Sequence, residues 1–223
     1  MKVKILNGHE YSLQAMLFTP SERVENPPLL IYLHGAGERG EKIEHLYRHG
    51  IPKLINDGKE IPAVVLCPQC PREVVWNNIV DKVKNLIDLI VGEYKISLDR
   101  ISITGSSMGG FGTWEMGLSY PNFFSAIAPV AGGGLSWRAE RLITTPVKAY
   151  HGKLDIDVPL IHSQLMVDSV NVHGGKAELV ILDEFGHNDG IEYTYFNTDI
   201  VSWLLEKRRT NFERVKDVCE ECF

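Results

Sequence analysis

Short apolar runs alternate with helical patterns along most of this chain. Residues 29–33, Leu-Leu-Ile-Tyr-Leu, are continuously apolar, the pattern of a strand covered on both faces in a parallel sheet. Further strands are expected at residues 63–66, 101–103, 126–130, 147–150 and 178–182. Between them Val83, Leu86, Ile87, Ile90 and Val91 fall at i, i+3, i+4, i+7 and i+8, which predicts one face of an amphipathic helix. Near the start, Asn7-Gly8 between residues 3–6 and 11–18 is a turn signal that predicts an edge hairpin. Strand and helix alternation of this kind predicts an α/β fold with a mostly parallel central sheet flanked by helices. No low-complexity linker interrupts it, so residues 1–223 read as one domain, with a tail from about residue 210 of unassigned role. Ligands of such sheets bind beyond the carboxyl ends of the strands.

Candidate chemistry sits at those ends. Residues 105–109 read Gly-Ser-Ser-Met-Gly, a GxSxG string between the run Ile101-Ser102-Ile103-Thr104 and a helix-like stretch at residues 111–118. Strand, sharp turn and helix are the context of a nucleophile elbow, with Ser107 at its centre. Glycines at 105 and 109 fit because side chains there would collide in so tight a turn. The string alone recurs by chance, so a base, an acid and oxyanion donors must accompany it. After the strand at 29–33 comes His34-Gly35-Ala36-Gly37-Glu38-Arg39-Gly40, a glycine-rich loop whose backbone N–H groups are free to face a developing negative charge. It matches neither GxGxxG nor a Walker sequence, and its place assigns Ala36 as one oxyanion donor and Met108 as the other. His34 reads as a structural residue bonded to backbone.

The strand at 147–150 runs into His151-Gly152-Lys153-Leu154-Asp155-Ile156-Asp157-Val158-Pro159. Asp155, in the turn, is the candidate acid; Asp157 is its local competitor, with a capping or solvated role as the alternative. Val158-Pro159 is read as the start of the next helix. His187, behind Gly186 on an expected loop after the last strand, is the candidate base. His45 and His49 fall in a polar helical region, His162 lies along a helix and His173 precedes a Gly-Gly turn. Ser107, Asp155 and His187 also follow the chain order Ser, Asp, His.

Residues 99–110, with residues 33–40, Pro68-Gln69-Cys70-Pro71 and Trp76, resemble the phospholipase/carboxylesterase-like group of α/β-hydrolases. Within it the chain is similar to the small esterases grouped as predicted peptidases, kin to feruloyl and acetyl-xylan esterases and acyl-protein thioesterases. The resemblance spans about residues 29–209. It implies an α/β-hydrolase fold and a serine carboxylic-ester hydrolase that forms an acyl-enzyme from short-chain or aromatic-acyl (feruloyl or acetyl) esters. Ser107, Asp155 and His187 would be its triad, Ala36 and Met108 its oxyanion donors, and no cofactor or metal is required. Such relatives often carry a tryptophan soon after the histidine, whereas Asn188-Asp189-Gly190-Ile191 follows here, which alters the leaving-group side of the pocket. A prolyl-oligopeptidase-like peptidase, an acyl thioesterase and a non-catalytic ligand-binding protein are the alternatives.

Substrate contacts are expected from Trp76, as a pocket wall or else as a core anchor, and from Gln69 in the preceding loop. Glu38 and Arg39 are expected either to pair with each other or to touch substrate. Trp114 reads as core. With 223 residues, 44% of them hydrophobic, one well-buried core is supported and little length is left for a lid. The 23 basic and 29 acidic residues give a net charge of −6, with no basic, aromatic-interleaved stretch, so the expected partner is a small-molecule ester, carbohydrate-linked esters included, and not nucleic acid. No stretch reaches roughly 18 consecutive apolar residues, so no membrane partner is expected; the N-terminus lacks a signal-like apolar core, which points to the cytoplasm unless a leader was trimmed. The four cysteines form two CxxC pairs, Cys67/Cys70 and Cys219/Cys222, spaced too far apart for a usual zinc site, so reduced thiols and no metal are expected.

Overall fold

The structure, a computed structural model, describes residues 1–212. Its strands are β1 (Lys2–Leu6), β2 (Ala15–Thr19), β3 (Leu29–Leu33), β4 (Val64–Pro68), β5 (Ile101–Ser106), β6 (Ala126–Val130), β7 (Val147–Gly152) and β8 (Ala177–Leu182). The helices are α1 (Gly50–Asn56), α2 (Val80–Glu93), α3 (Met108–Ser119), α4 (Ile161–Val172), α5 (His187–Asn197) and α6 (Ile200–Glu206). All eight strands form one sheet in the order β1-β2-β4-β3-β5-β6-β7-β8. β2 runs antiparallel to β1 and β4, and every pairing from β4 to β8 is parallel.

Continuous apolar runs became fully buried strands for the expected reason: β3 to β7 are covered on both faces. Alternation within β3 shows how. Leu29, Ile31 and Leu33 enter one layer with Val83, Leu86, Ile87 and Ile90 of α2 and Trp114 of α3. Leu30 and Tyr32 enter the opposite layer with Ile51 of α1, Ile191 and Tyr195 of α5, and Leu204 of α6. Each large side chain so buried contributes roughly 1.5–3 kcal/mol before conformational entropy is subtracted, which makes these two layers the main stabilising term. Parallel register brings the carboxyl ends of β3, β5 and β6 level, pairing Leu33 with Gly105 and Ser106 with Val130.

The edge hairpin forms, but its turn is longer than expected. β2 begins at Ala15, opposite Leu6, and residues 7–14 form a loop. The Asn7 carbonyl accepts the N–H groups of both Glu10 and Tyr11, and its side chain accepts that of His9. This local winding captures the backbone groups that a tight two-residue turn would have sent into the ladder. Pro159 likewise precedes α4 by two residues and does not open it. The β6–β7 connection holds only a short 3₁₀ segment (Ser136–Leu142) and no lid. Among the described residues, no helix is long and apolar enough to cross a membrane.

Candidate active site

Ser107 lies between the end of β5 and the start of α3, with φ 55° and ψ −118°. A non-glycine residue holds such angles only where its surroundings impose them. Here its N–H donates to the Val130 carbonyl at 2.9 Å, and its carbonyl accepts the Phe111 N–H at 3.0 Å, the first bond of the helix. The flanking glycines let helix and sheet touch: a Cβ on Gly109 would be driven into the Leu33 carbonyl, and one on Gly105 would lie 2.7 Å from the same oxygen. Gly109→Ala is therefore expected to cost about 3 kcal/mol or more, since the obstacle is backbone and cannot change rotamer. Thermal unfolding would check this, with a fall in midpoint of roughly 6–12 °C for a chain of this size.

His187 is the first residue of α5, where the sequence suggested a loop. Gly186 is non-helical and Asp189 places a carboxylate in the first turn, where it favours the positive helix terminus, so the Gly-flanked stretch winds up from His187 onward. That fixes the imidazole between its neighbours. Nδ1 lies 2.6 Å from Asp155 Oδ2, and Nε2 lies 2.9 Å from Ser107 Oγ. A carboxylate only accepts, so Nδ1 carries the ring proton and Nε2 offers its lone pair to the Ser107 hydroxyl. The other oxygen, Asp155 Oδ1, accepts the N–H groups of Asp157 at 3.0 Å and Val158 at 2.8 Å. Asp155 is buried and Asp157 exposed, and the competitor holds Asp155 through its backbone N–H, with its own carboxylate at the rim beside Asp155 and His187.

Ser107 and His187 face a cleft of about 230 Å³ walled by Gly35, Ala36, Glu38, His49, Asn188 and Ile191. Ala36 begins a 3₁₀ turn (Ala36–Glu38) and Met108 begins α3. N–H groups in the first turn of a helix have no intrahelical acceptor and carry partial positive charge, which makes these two positions suitable anion donors.

Three expected substrate contacts lie elsewhere. Trp76 is 1% exposed and donates its indole N–H to the His34 carbonyl at 2.9 Å, with its ring edge-on to His34. It anchors the loop behind the cleft because its N–H finds a buried acceptor there. Gln69, also buried, donates to the carbonyls of Glu38 at 2.9 Å and Lys42 at 2.8 Å, tying down the stretch after the glycine-rich loop. Arg39 does not pair with Glu38: its guanidinium braces the carbonyls of Ala36, Arg72 and Val74 and borders a separate groove of about 710 Å³. Glu38 alone of these four reaches the cleft. Burial pushes its carboxyl pKa up, opposed by the charges of His49 and Arg48. His49, which its polar surroundings did not mark out, lies with Nε2 3.7 Å from Glu38 Oε1.

His34 has the structural role expected of it. It is buried, its Nδ1 lies 2.6 Å from the Gly35 carbonyl and its Nε2 accepts the Cys70 N–H, and burial lowers its pKa to about 4. Trp114 is in the core, as read. Cys67 and Cys70 enter opposite layers of the sheet, and burial raises both thiol pKa values, that of Cys70 to about 11, so this CxxC forms no knuckle of thiolates. Cys219 and Cys222 lie outside the described residues. Asp155, Asp157 and His187 are close enough together to surround a cation, but Asp155 Oδ1 is occupied by two backbone donors and Oδ2 by His187.

No protein-family model matches the chain. A thermostable esterase of known structure superposes with a TM-score of 0.77 at 27% identity, over 93% of this chain and 63% of that one. Poly(3-hydroxyalkanoate) depolymerase C of Paucimonas lemoignei is 28% identical over 137 residues, 55% of this chain and 32% of its own length. The bifunctional acetylxylan esterase/xylanase XynS20E of Neocallimastix patriciarum is 25% identical over 150 residues, 62% of this chain and 21% of its own. The chain thus spans a third or less of these two relatives. Strand order, antiparallel β2, elbow and neighbours agree: the chain has an α/β-hydrolase fold and is similar to esterases that share it.

Proposed function

We propose that this protein is a serine carboxylic-ester hydrolase in which Ser107 is the nucleophile, His187 the general base and acid, and Asp155 the group that orients and stabilises the imidazolium. One observation carries the reading: His187 bridges Asp155 and Ser107 through its two ring nitrogens at 2.6 and 2.9 Å. Nε2 takes the hydroxyl proton as Oγ attacks the ester carbonyl, and the backbone N–H groups of Ala36 and Met108 hold the oxyanion. Collapse expels the alcohol, which leaves with the proton from Nε2. Water, deprotonated by the same nitrogen, then attacks the acyl-enzyme and frees the acid and Ser107.

The cleft favours a small acyl group. Its volume, about 230 Å³, falls below the usual range for drug-sized ligands, and it has a polar wall of Glu38, His49 and Asn188 beside Ile191. With Trp76 buried, it does not supply the platform on which a feruloyl ring would stack. The acetylxylan esterase relative agrees with an acetyl-type substrate and with a carbohydrate-linked alcohol. On matched p-nitrophenyl acetate, butyrate and ferulate, kcat/KM is expected to fall along the series, by about tenfold or more from acetate to ferulate, about 1.4 kcal/mol of transition-state binding. A preference for ferulate would overturn the small-acyl assignment. Failure of a fluorophosphonate to label Ser107 in folded protein would overturn the hydrolase reading itself.

A further inference from the structure

Resting on the triad just proposed, we infer that His151 and Ser163 are positioning residues that hold Asp155 in register with the nucleophile elbow. Both are buried, on β7 and α4 respectively. Neither takes part in the chemistry above, yet together they join its two halves.

The connection begins at the elbow. Ser107 N–H is held by the Val130 carbonyl, and two residues on, Gly132 packs so closely against Gly110 and Phe111 at the start of α3 that a Cβ would not fit. The Gly132 carbonyl lies 2.8 Å from Ser163 Oγ, which in turn lies 2.7 Å from His151 Nδ1. The far nitrogen, His151 Nε2, lies 2.8 Å from the Val158 carbonyl and 3.4 Å from Asp155 Oδ2. Val158 N–H holds Asp155 Oδ1, and Asp155 returns through His187 to Ser107. The result is a closed circuit of hydrogen bonds and backbone.

Proton placement gives each member its role. Burial pushes the pKa of His151 down, so its ring is neutral and carries one proton. Val158 O and Asp155 Oδ2 are acceptors only, which puts that proton on Nε2. Nδ1 must then accept, and the Ser163 hydroxyl is the donor that faces it, its proton shared between Nδ1 and the Gly132 carbonyl. Ser163 thus completes the hydrogen bonding of the ring that presents an N–H to the acid loop and fixes its plane. Without it Nδ1 loses its partner and the ring is free to turn, which loosens the hold of Nε2 on the Val158 carbonyl and Asp155. The titratable groups facing His151 are Asp155 on the adjoining loop, His187 of α5 and His162 of α4.

Ser163→Ala is the test, with turnover of p-nitrophenyl acetate expressed per serine labelled by fluorophosphonate so that misfolded protein is not counted. A displacement of the acid on the scale of an ångström costs up to about 10²-fold in rate. The expected result is a fall in kcat of about tenfold with KM within twofold. Ser163→Cys, with a weaker donor of similar size, should lie between alanine and wild type. His151→Leu should lose about 100-fold. Unchanged kcat per labelled serine in Ser163→Ala, or a loss carried by KM alone, would overturn the positioning role, whatever the variants do to stability. A wild type without Ser107-dependent turnover would instead overturn the ester-hydrolase reading, and this role with it.

Discussion

Replacing Ser107 with alanine is expected to lower ester turnover by about 10⁶-fold, the scale at which removing the nucleophile of a comparable triad disables it. The neighbouring hydroxyl cannot substitute. Ser106 belongs to β5, is 3% exposed, and its hydroxyl lies 3.1 Å from that of Tyr32, whereas the His187 Nε2 lies against Ser107 Oγ. Folding should survive, because Ser107 Oγ contacts His187 and the elbow is held by backbone bonds to Val130 and Phe111. Residual activity would report the oxyanion donors and substrate binding alone. The measurement is hydrolysis of p-nitrophenyl acetate alongside fluorophosphonate labelling and circular dichroism. Ester turnover above about 1% of wild type in a folded variant would remove Ser107 from its role.

Asp155→Asn should lower kcat by about 10⁴-fold with little change in KM, as in comparable triads. The reason lies in the other carboxylate oxygen. Asp155 Oδ1 accepts the N–H groups of Asp157 and Val158, so the amide oxygen of asparagine must take that slot and its NH₂ must face His187. Nδ1 then accepts, the ring proton moves to Nε2, and an N–H points at Ser107 where a lone pair is needed. Asp157→Asn, by contrast, should leave kcat within twofold, because that residue contributes only its backbone N–H. Equal losses in the two variants would reassign the acid.

Much of this arrangement is legible in the sequence because it rests on local pattern. β3 to β7 are covered on both faces, so β3, β4 and β6 read as apolar runs, and β5 and β7 as β-branched or apolar stretches broken by single polar residues, and all stand out. Ser107, Asp155 and His187 each follow a strand, and chain order connects them before any contact is known. What the sequence hides depends on contacts across the chain. Whether Trp76 faces the cleft or the core is decided by a carbonyl 42 positions away, and the aim of Gln69 by one 31 positions away. His49 reaches the cleft because Gly50, at φ +62°, turns the chain between a 3₁₀ segment and α1. The hairpin misleads for a related reason. Buried Leu13 and part-buried Tyr11 imitate strand alternation, while Asn7 gathers the N–H groups of Glu10 and Tyr11.

The short β6–β7 connection bears on kinetics as well as on shape. Ser107 and His187 are both partly exposed, and among the described residues no lid closes over them. In the proposed cycle the attacking water then comes directly from bulk, without waiting for a gate, so the lifetime of the acyl-enzyme is set by bond making at its carbonyl. The same openness admits small alcohols to that carbonyl. Hydrolysis and acyl transfer therefore compete in proportion to the concentrations of water and alcohol, and the solvent composition decides which product leaves.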